Sequence, residues 1–543
     1  MSRRKGEMGD LDLTLGLDSS TQGTSAVLLR REDFSVLAEA KVRYRDDPRL
    51  SGFGLREGSP ILPPDEEGEA HQPAALYLAA LEAALADLPR ELLSRVAAID
   101  LSAQQHGQVW LGEEGIASIL ALGAKGAGRP GASDLAACLG PGLAWERAPI
   151  WMEASTGKEA SALREAIGDA EAMTALSGSD SPLRFSGSVL AHEAARHPDA
   201  WQRTRRVHLI SSFLCAVLSA NPDCPVDWGN GSGTSLMNWS KRSWDRRLLA
   251  AASRLADDTM DELVERLPPL AHPLSFAGRL AAYFVERFGM SPDCRIVIGS
   301  GDNPQSKVLA EGALLSLGTS FVLMADGERP HVSANAMYDG LGRPFLFGCR
   351  SNGALVWERV RRDHGIGVDD FAASERALGG TIPAVPSQPR ILHILPESFP
   401  EAPIMDLGRR DDFALDYSGL VDSSLGLMWL ASRPFASSSG AISVTGGAAA
   451  SPGVLARVAA IWRMRVLPIA NAGAATGAAL AAAIALIHPS AREEILPSAR
   501  AMSAGAGEPV DPRPDLVAAY HDPKGGGYLA RLEEVAREAG IRL

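Results

Sequence analysis

The chain has 543 residues, 46% hydrophobic and 22% charged, with a formal net charge of −13. Such a length predicts roughly two to four domains with sizeable cores. The negative balance argues against a protein built mainly to grip nucleic acid or an anionic membrane, although it leaves room for a local basic pocket. The five cysteines (Cys138, Cys215, Cys224, Cys294, Cys349) are scattered and show no CxxC spacing, so they read as reduced thiols of a cytoplasmic protein.

The first ten residues, MSRRKGEMGD, are basic, but Asp12 and Thr14 interrupt the apolar run that follows. That predicts a strand and not a signal peptide. In LDLTLGLDSSTQGTSAVLL, Leu11, Leu13, Leu15 and Leu17 share one face of this strand, SSTQG supplies a turn, and SAVLL starts a second strand. A tight turn presents backbone N–H groups to an anion, small hydroxyls add donors without bulk, and a neighbouring aspartate can hold the Mg²⁺ that accompanies a phosphate. Asp18 is therefore a candidate metal ligand, with Ser20 and Thr21 bordering a nucleotide's phosphates. Ser, Thr and Gly are also ordinary turn residues, so one such hairpin decides little.

Next, PAALYLAALEAALADL has helical spacing and leads into VAAIDLSAQQHGQVWL, read as a strand over Val96–Leu101 and another over Val109–Leu111. Gln104, Gln105 and His106 fall between them, at the ligand edge of an α/β sheet, with the donors and acceptors a polyol needs. A lone loop histidine is more often structural. The Gly/Ala/Pro-rich stretch from Ala121 to Gly142 predicts a surface insertion.

CRIVIGSGDNPQSKV predicts a strand over Ile296–Ile298 that hands over to a helix, with Pro304 in the first turn. Asp302 and Asn303 sit at that handover, where a helix N-cap is the alternative role for Asp302. ALLSLGTSFVLM, from Ala313, repeats the first hairpin's pattern and predicts a duplicated architecture with the two tips facing each other. AISVTGGAAASPGVLARVAAIW predicts a strand, then Gly446–Gly447, then a helix from about Pro452. A Gly-Gly pair there lets a flat ring or a phosphate lie against the backbone. AGAATGAALAAAIALI, ending at Ile487, is too short to span a bilayer and reads as a packed interior helix. The stretch from Pro497 to Asp515 reads as a loose connector before a last helix from Tyr528.

In this order and spacing, DSSTQ at Asp18, SAQQHG at Ser102, PIWMEASTG at Pro149 and LRFSG at Leu183 resemble the FGGY family of carbohydrate kinases. VDWGNGSGTSLMNW at Val226, GSGDNP at Gly299, SLGTS at Ser316 and VTGGAAAS at Val444 complete the resemblance, which is nearest to the longer, animal-type xylulokinases. It implies an α/β fold of two actin-like, ribonuclease H-like ATPase lobes with an active-site cleft between them. The N-terminal lobe would be residues 1–308, with the sugar site, the base and the first phosphate hairpin; the C-terminal lobe, 309–543, would bind ATP. The implied reaction is phosphorylation of D-xylulose to D-xylulose 5-phosphate by ATP with Mg²⁺. It would run in the cytoplasm, in a monomer or homodimer without nucleic-acid or membrane partners.

Carried over by residue, the resemblance implies Asp302 as catalytic base and as a sugar contact with Asn303, Gln105, His106 and Arg184. It implies Asp18 as the metal-linked aspartate, and Thr21, Gly318, Thr319, Gly446, Gly447 and Ser451 as nucleotide contacts. The chain also departs from the family pattern. Ala103 replaces a common Gly, Glu153 an Asp, Asn230 an Asp, Ser451 an Asn and Ala459–Ala460 an Ala-Asp, while a tryptophan is missing near Val368. Several of these fall on the ATP side. The alternatives are an FGGY kinase for another ketose or polyol, or a weakly active sugar-binding relative. A carboxylate of ordinary pKa, about 4, is a poor base toward an alcohol, so proton transfer is expected late, with positioning supplying much of the rate.

Overall fold

Alternation in the first hairpin decides how the first sheet is covered. In a computed structural model, β1 (Leu13–Ser19) pairs antiparallel with β2 (Gly23–Arg30), and β3 (Val36–Arg43) continues the antiparallel run. On its other edge β1 lies parallel to β4 (Val96–Ala103). Beyond β4 the sheet ends in β5 (Phe276–Arg279) and β6 (Arg295–Val297), an antiparallel pair of which β6 runs parallel to β4. A short β7 (Ser300–Gly301) also pairs parallel with β4. Residues 11–543 are described, apart from 351, 368, 385–387, 395–402, 437–439, 471–472, 506, 523–525 and 542. The basic start of the chain and the position near Val368 therefore lie outside the described residues.

Leu13, Leu15 and Leu17 are buried in one core with Leu76, Ala80 and Leu81 of α1 (Ala74–Ala86) and Phe213 and Val217 of α2 (Ile210–Ser219). Each buried leucine contributes about 2 kcal/mol. On the opposite face, α3 (Asp302–Val308) and α4 (Ala474–Ala485) pack closely because the residues of α4 are small. A Cβ on Gly16 would stand 1.9 Å from the Ala475 carbonyl oxygen, and Thr14 Oγ1 donates to the Ala479 carbonyl at 2.9 Å. Every residue of α4 is buried, as expected of an interior helix with no polar face. Among the described residues no helix is long and apolar enough to cross a membrane, and no disulfide joins the cysteines.

The chain divides into two compact units. The first runs to Leu309 and regains Ala336–Pro344 and Gly473–Ser503; the second comprises Ala310–Asn335, Phe345–Ala472 and Ala504–Leu543. The single boundary expected after residue 308 therefore accounts for only part of the division, because two later segments belong to the first unit. In the second unit the hairpin β8 (Ala313–Leu317) and β9 (Phe321–Asp326) continues antiparallel into β10 (Pro344–Arg350). On the other side β8 is parallel to β11 (Ala441–Thr445), which is parallel to β12 (Arg465–Pro468). The orders β3-β2-β1-β4-β6 and β10-β9-β8-β11-β12, with the same sense of pairing, are one topology used twice.

The insertion Ala121–Gly142 lies largely at the surface, as expected, but it is ordered, and the connector reading of Pro497–Asp515 does not hold. Within Ala121–Gly142 lies a helix, Leu135–Leu139, whose two end leucines are buried, and the Gly126 and Gly128 N–H groups donate to the Glu286 carboxylate at 2.8 and 3.1 Å. The supposed connector Pro497–Asp515 starts inside a helix, Arg492–Ala504, and ends in another, Pro514–His521. Arg500 anchors the first of these by donating to the Val308 carbonyl at 2.7 Å. Glycine and proline mark turns in the sequence, but contacts with distant residues hold these segments in place.

Candidate active site

Strand register gathers the first unit's candidates. Asp18 on β1 is level with Ser102 on β4, and Ser102 is level with Ser300 on β7. These parallel strands thus end side by side, and the segments leaving them are SSTQG, Gln104–Gln105–His106 and Asp302–Asn303. This is the carboxyl edge at which open α/β sheets hold ligands.

Asp302 is the first residue of α3, and Gly301 occupies the N-cap position, so capping is not the task of Asp302. Its Oδ1 accepts from its neighbour's backbone N–H at 2.9 Å and from Asn303 Nδ2 at 3.1 Å. Asn303 Nδ2 also donates to Gln105 Oε1 at 3.0 Å, tying the base position to the loop after β4. The approach is close: a Cβ on Gly301 would lie 2.3 Å from Gln105 Cγ. Burial, followed by the negative charge of Asp18, pushes the Asp302 carboxyl up to about 7. The carboxylate of ordinary strength expected from sequence is thus replaced by a base matched to neutral pH.

Asp18 is pushed up to about 6 by burial, an effect moderated by Ser102. Its Oδ1 is buried without a hydrogen-bond partner. Two carboxylates, one raised by the other's charge and one with an unsatisfied oxygen, form a donor set suited to a hard divalent cation.

His106 takes φ 71°, in the left-handed region that a non-glycine residue enters only when its surroundings hold it there. Its ring stacks on Phe185, with centroids 4.5 Å apart, and its Nδ1 lies 2.8 Å from the Gly233 carbonyl. A carbonyl only accepts, so Nδ1 carries the proton and Nε2 is left as an acceptor. Burial and then the charge of Arg184 hold the imidazole down to about 3, so it stays neutral at physiological pH. Phe185 supports this ring from beneath. It lies in the quoted LRFSG stretch, but one aromatic between a charged residue and a serine gives no sequence signal of its own.

Thr21 lies at the tip of the first hairpin. Its Oγ1 donates to Gln104 Oε1 at 3.1 Å and accepts from Trp151 Nε1 at 2.8 Å. In the second unit, parallel register aligns Ser316 with Thr445, so the tip Gly318–Thr319 and the pair Gly446–Gly447 leave adjacent strands together. Thr319, Gly446 and Gly447 are exposed. Ser451 caps the helix Pro452–Trp462, accepting from the Val454 N–H at 3.1 Å and donating to the Glu375 carboxylate, so its hydroxyl already serves the protein.

Glu153, the lengthened carboxylate, turns inward. It accepts from the Ala70 N–H at 2.8 Å and approaches His71 Nε2 at 3.5 Å, while Glu193 lies 3.0 Å from the same nitrogen and Glu69 lies 2.9 Å from Nδ1. Burial by itself would lower the His71 pKa, but Glu153 and Glu193 overcome it and raise the imidazole to about 9. A raised basic pKa contributes stability that is complete below about 6.5 and is lost as pH rises through about 9. His71→Gln is therefore expected to cost about 3–5 kcal/mol at pH 6, since carboxylates stay buried without their cation. Urea denaturation at pH 6 and pH 10 should show that deficit shrinking at the higher pH.

Residues 145–308 match the model for the N-terminal domain of the FGGY family of carbohydrate kinases. Over these residues the chain is similar to that family. The probable D-xylulose kinase A of Aspergillus terreus is 30% identical over 361 residues, which cover 64% of this chain and 60% of that protein. Xylulose kinase of Mus musculus is 30% identical over 359 residues, covering 64% of this chain and 61% of the mouse protein. The matched stretch thus spans about three fifths of each FGGY relative. The crystal structure of xylulose kinase from Rhodospirillum rubrum superposes with a TM-score of 0.74, covering 97% of this chain and 99% of that one at 16% identity. The chain thus shares the fold of that kinase, with one sheet topology present twice.

Proposed function

We propose that the protein is an ATP-dependent D-xylulose kinase that forms D-xylulose 5-phosphate. The observation that carries this reading is the half-buried Asp302, raised to about 7 and joined through Asn303 to Gln105, beside the unsatisfied oxygen of Asp18. Asp302 takes the proton of the sugar's terminal hydroxyl as that oxygen attacks the γ-phosphorus. The transferred group is largely metaphosphate-like, so its reaction depends on placement and on charge stabilisation more than on a strong base. The neutral His106 offers Nε2 as an acceptor, the Gln105 and Asn303 amides offer donors and acceptors, and Arg184 supplies positive charge. This set suits a chain of hydroxyls, each of which both donates and accepts. Asp18 would hold Mg²⁺, which when bound supplies positive charge to the phosphates. Thr21, Gly318, Thr319, Gly446, Gly447 and Ser451 are the residues proposed to contact the nucleotide.

The test is a coupled ADP-release assay with Mg-ATP over a panel of pentuloses and polyols. D-Xylulose should give the highest turnover. Dominant turnover of another ketose or polyol would reassign the substrate within the family. A thermal shift with sugar but no turnover, unchanged in Asp302→Ala, would replace catalysis with sugar binding.

A further inference from the structure

Gln72 lies in the three-residue strand His71–Pro73 and is completely buried. Its Nε2 donates to the Thr21 carbonyl at 2.8 Å and to the Pro60 carbonyl at 2.7 Å. Its Oε1 accepts from Tyr77 Oη at 2.9 Å and from Gln104 Nε2 at 2.6 Å. These are the two donors and two acceptor sites a primary amide possesses, all in use. Reversing the amide would set its oxygen against two carbonyls, so the orientation is fixed. The partners belong to the first hairpin's tip, to the loop around Pro60, to α1 and to the loop after β4. Thr21 Oγ1 also donates to Gln104 Oε1 at 3.1 Å, closing a ring of three residues. Gln104 in turn adjoins Gln105, whose Oε1 accepts from Asn303 beside Asp302.

We infer that Gln72 is a positioning residue that fixes the phosphate hairpin against the sugar loop, so that phosphoryl group and sugar hydroxyl are placed as one unit. The inference rests on the kinase reading. If the tip and the loop moved independently, a bound sugar would meet the phosphoryl group in register less often, and water would compete for it. Misplacement of about 1 Å is enough to cost roughly a hundredfold in rate.

The experiment compares ADP release by the full-length protein with saturating D-xylulose and with no sugar. Gln72→Met keeps the side chain's length and removes its polar atoms. Tyr77→Phe removes two bonds to the ring, the one Tyr77 Oη donates to Gln72 and the one it accepts from Gln104 Nε2 at 3.2 Å, and serves if Gln72→Met does not fold. Gln72→Met is expected to lower kcat about 10–100-fold with less than about a threefold change in KM for D-xylulose. The ratio of sugar-dependent to sugar-free ADP release should fall at least about tenfold, and Tyr77→Phe should move it the same way by a smaller factor. Both rates falling in parallel at a constant ratio, or an unchanged kcat in an active protein, would overturn the positioning role while leaving the kinase reading intact. A wild-type protein that releases no ADP with any pentulose would overturn both.

Discussion

Asp302→Asn is expected to lower kcat by about a thousandfold or more and at the same time to make the protein harder to denature at pH 8. The loss of rate follows from removing the proton acceptor while keeping the shape, since asparagine can still accept from Asn303 through its own carbonyl oxygen. The gain in stability follows from the raised pKa. Ordinarily near 3.8, the carboxyl is pushed to about 7 by burial and by Asp18, so the folded state holds this proton more firmly than the unfolded chain does. The contribution is present below about pH 4 and is lost as pH rises through about 7. At pH 8 the wild type carries an ionised carboxylate in an unfavourable place, and a neutral amide removes that burden. Asp302 is partly open to solvent, so the gain should be about 1–2 kcal/mol and not the full value of the shift. Urea curves at pH 8 and pH 4 separate the effects: the variant should be more stable at the first and equal at the second. A variant that keeps near-normal turnover would end the role of Asp302 as base.

The parts of this site that sequence could show are those where a regular strand stops. Asp18, Gln105, His106 and Asp302 each follow an apolar run that ends at the same sheet edge, and the residues after each run are small or polar. Base strength was not visible in this way, because it depends on burial and on a second carboxylate that is remote in sequence. Gln72 was missed because a three-residue strand has no period, and its four bonds reach residues between 5 and 51 positions away. The segment from Ala325 to Val421 was the least legible. Its helix Phe413–Ser432 buries Asp416 and Asp422 among leucines, so no apolar stripe appears. Those aspartates are matched from elsewhere, Asp416 by Arg390 at 2.7 Å and Asp422 by Arg457 at 2.8 Å, and a periodicity rule cannot anticipate distant partners. The return of Gly473–Ser503 to the first unit is hidden for a similar reason. Alanine and glycine show that α4 packs closely, but they do not show that its partners are β1 and α3.

Asp18→Asn should lower turnover by about a hundredfold or more, and it should also change the acidity of a residue it does not replace. Asp18 is the second cause of the raised Asp302 pKa, after burial. Removing its negative charge therefore lowers the Asp302 pKa from about 7 toward the value that burial sets by itself. ¹³C titration of the side-chain carboxyls in the metal-free protein reads this directly, without any need for turnover. Adding Mg²⁺ to the wild type should shift Asp302 in the same direction, because a cation at Asp18 offsets the charge that the asparagine variant deletes. In Asp18→Asn the same addition should have little effect. An Asp302 titration that ignores both the substitution and the ion would mean that burial accounts for its strength. The two carboxylates would then no longer argue for a shared cation, and the hairpin tip would have to bind phosphate through its N–H groups and hydroxyls.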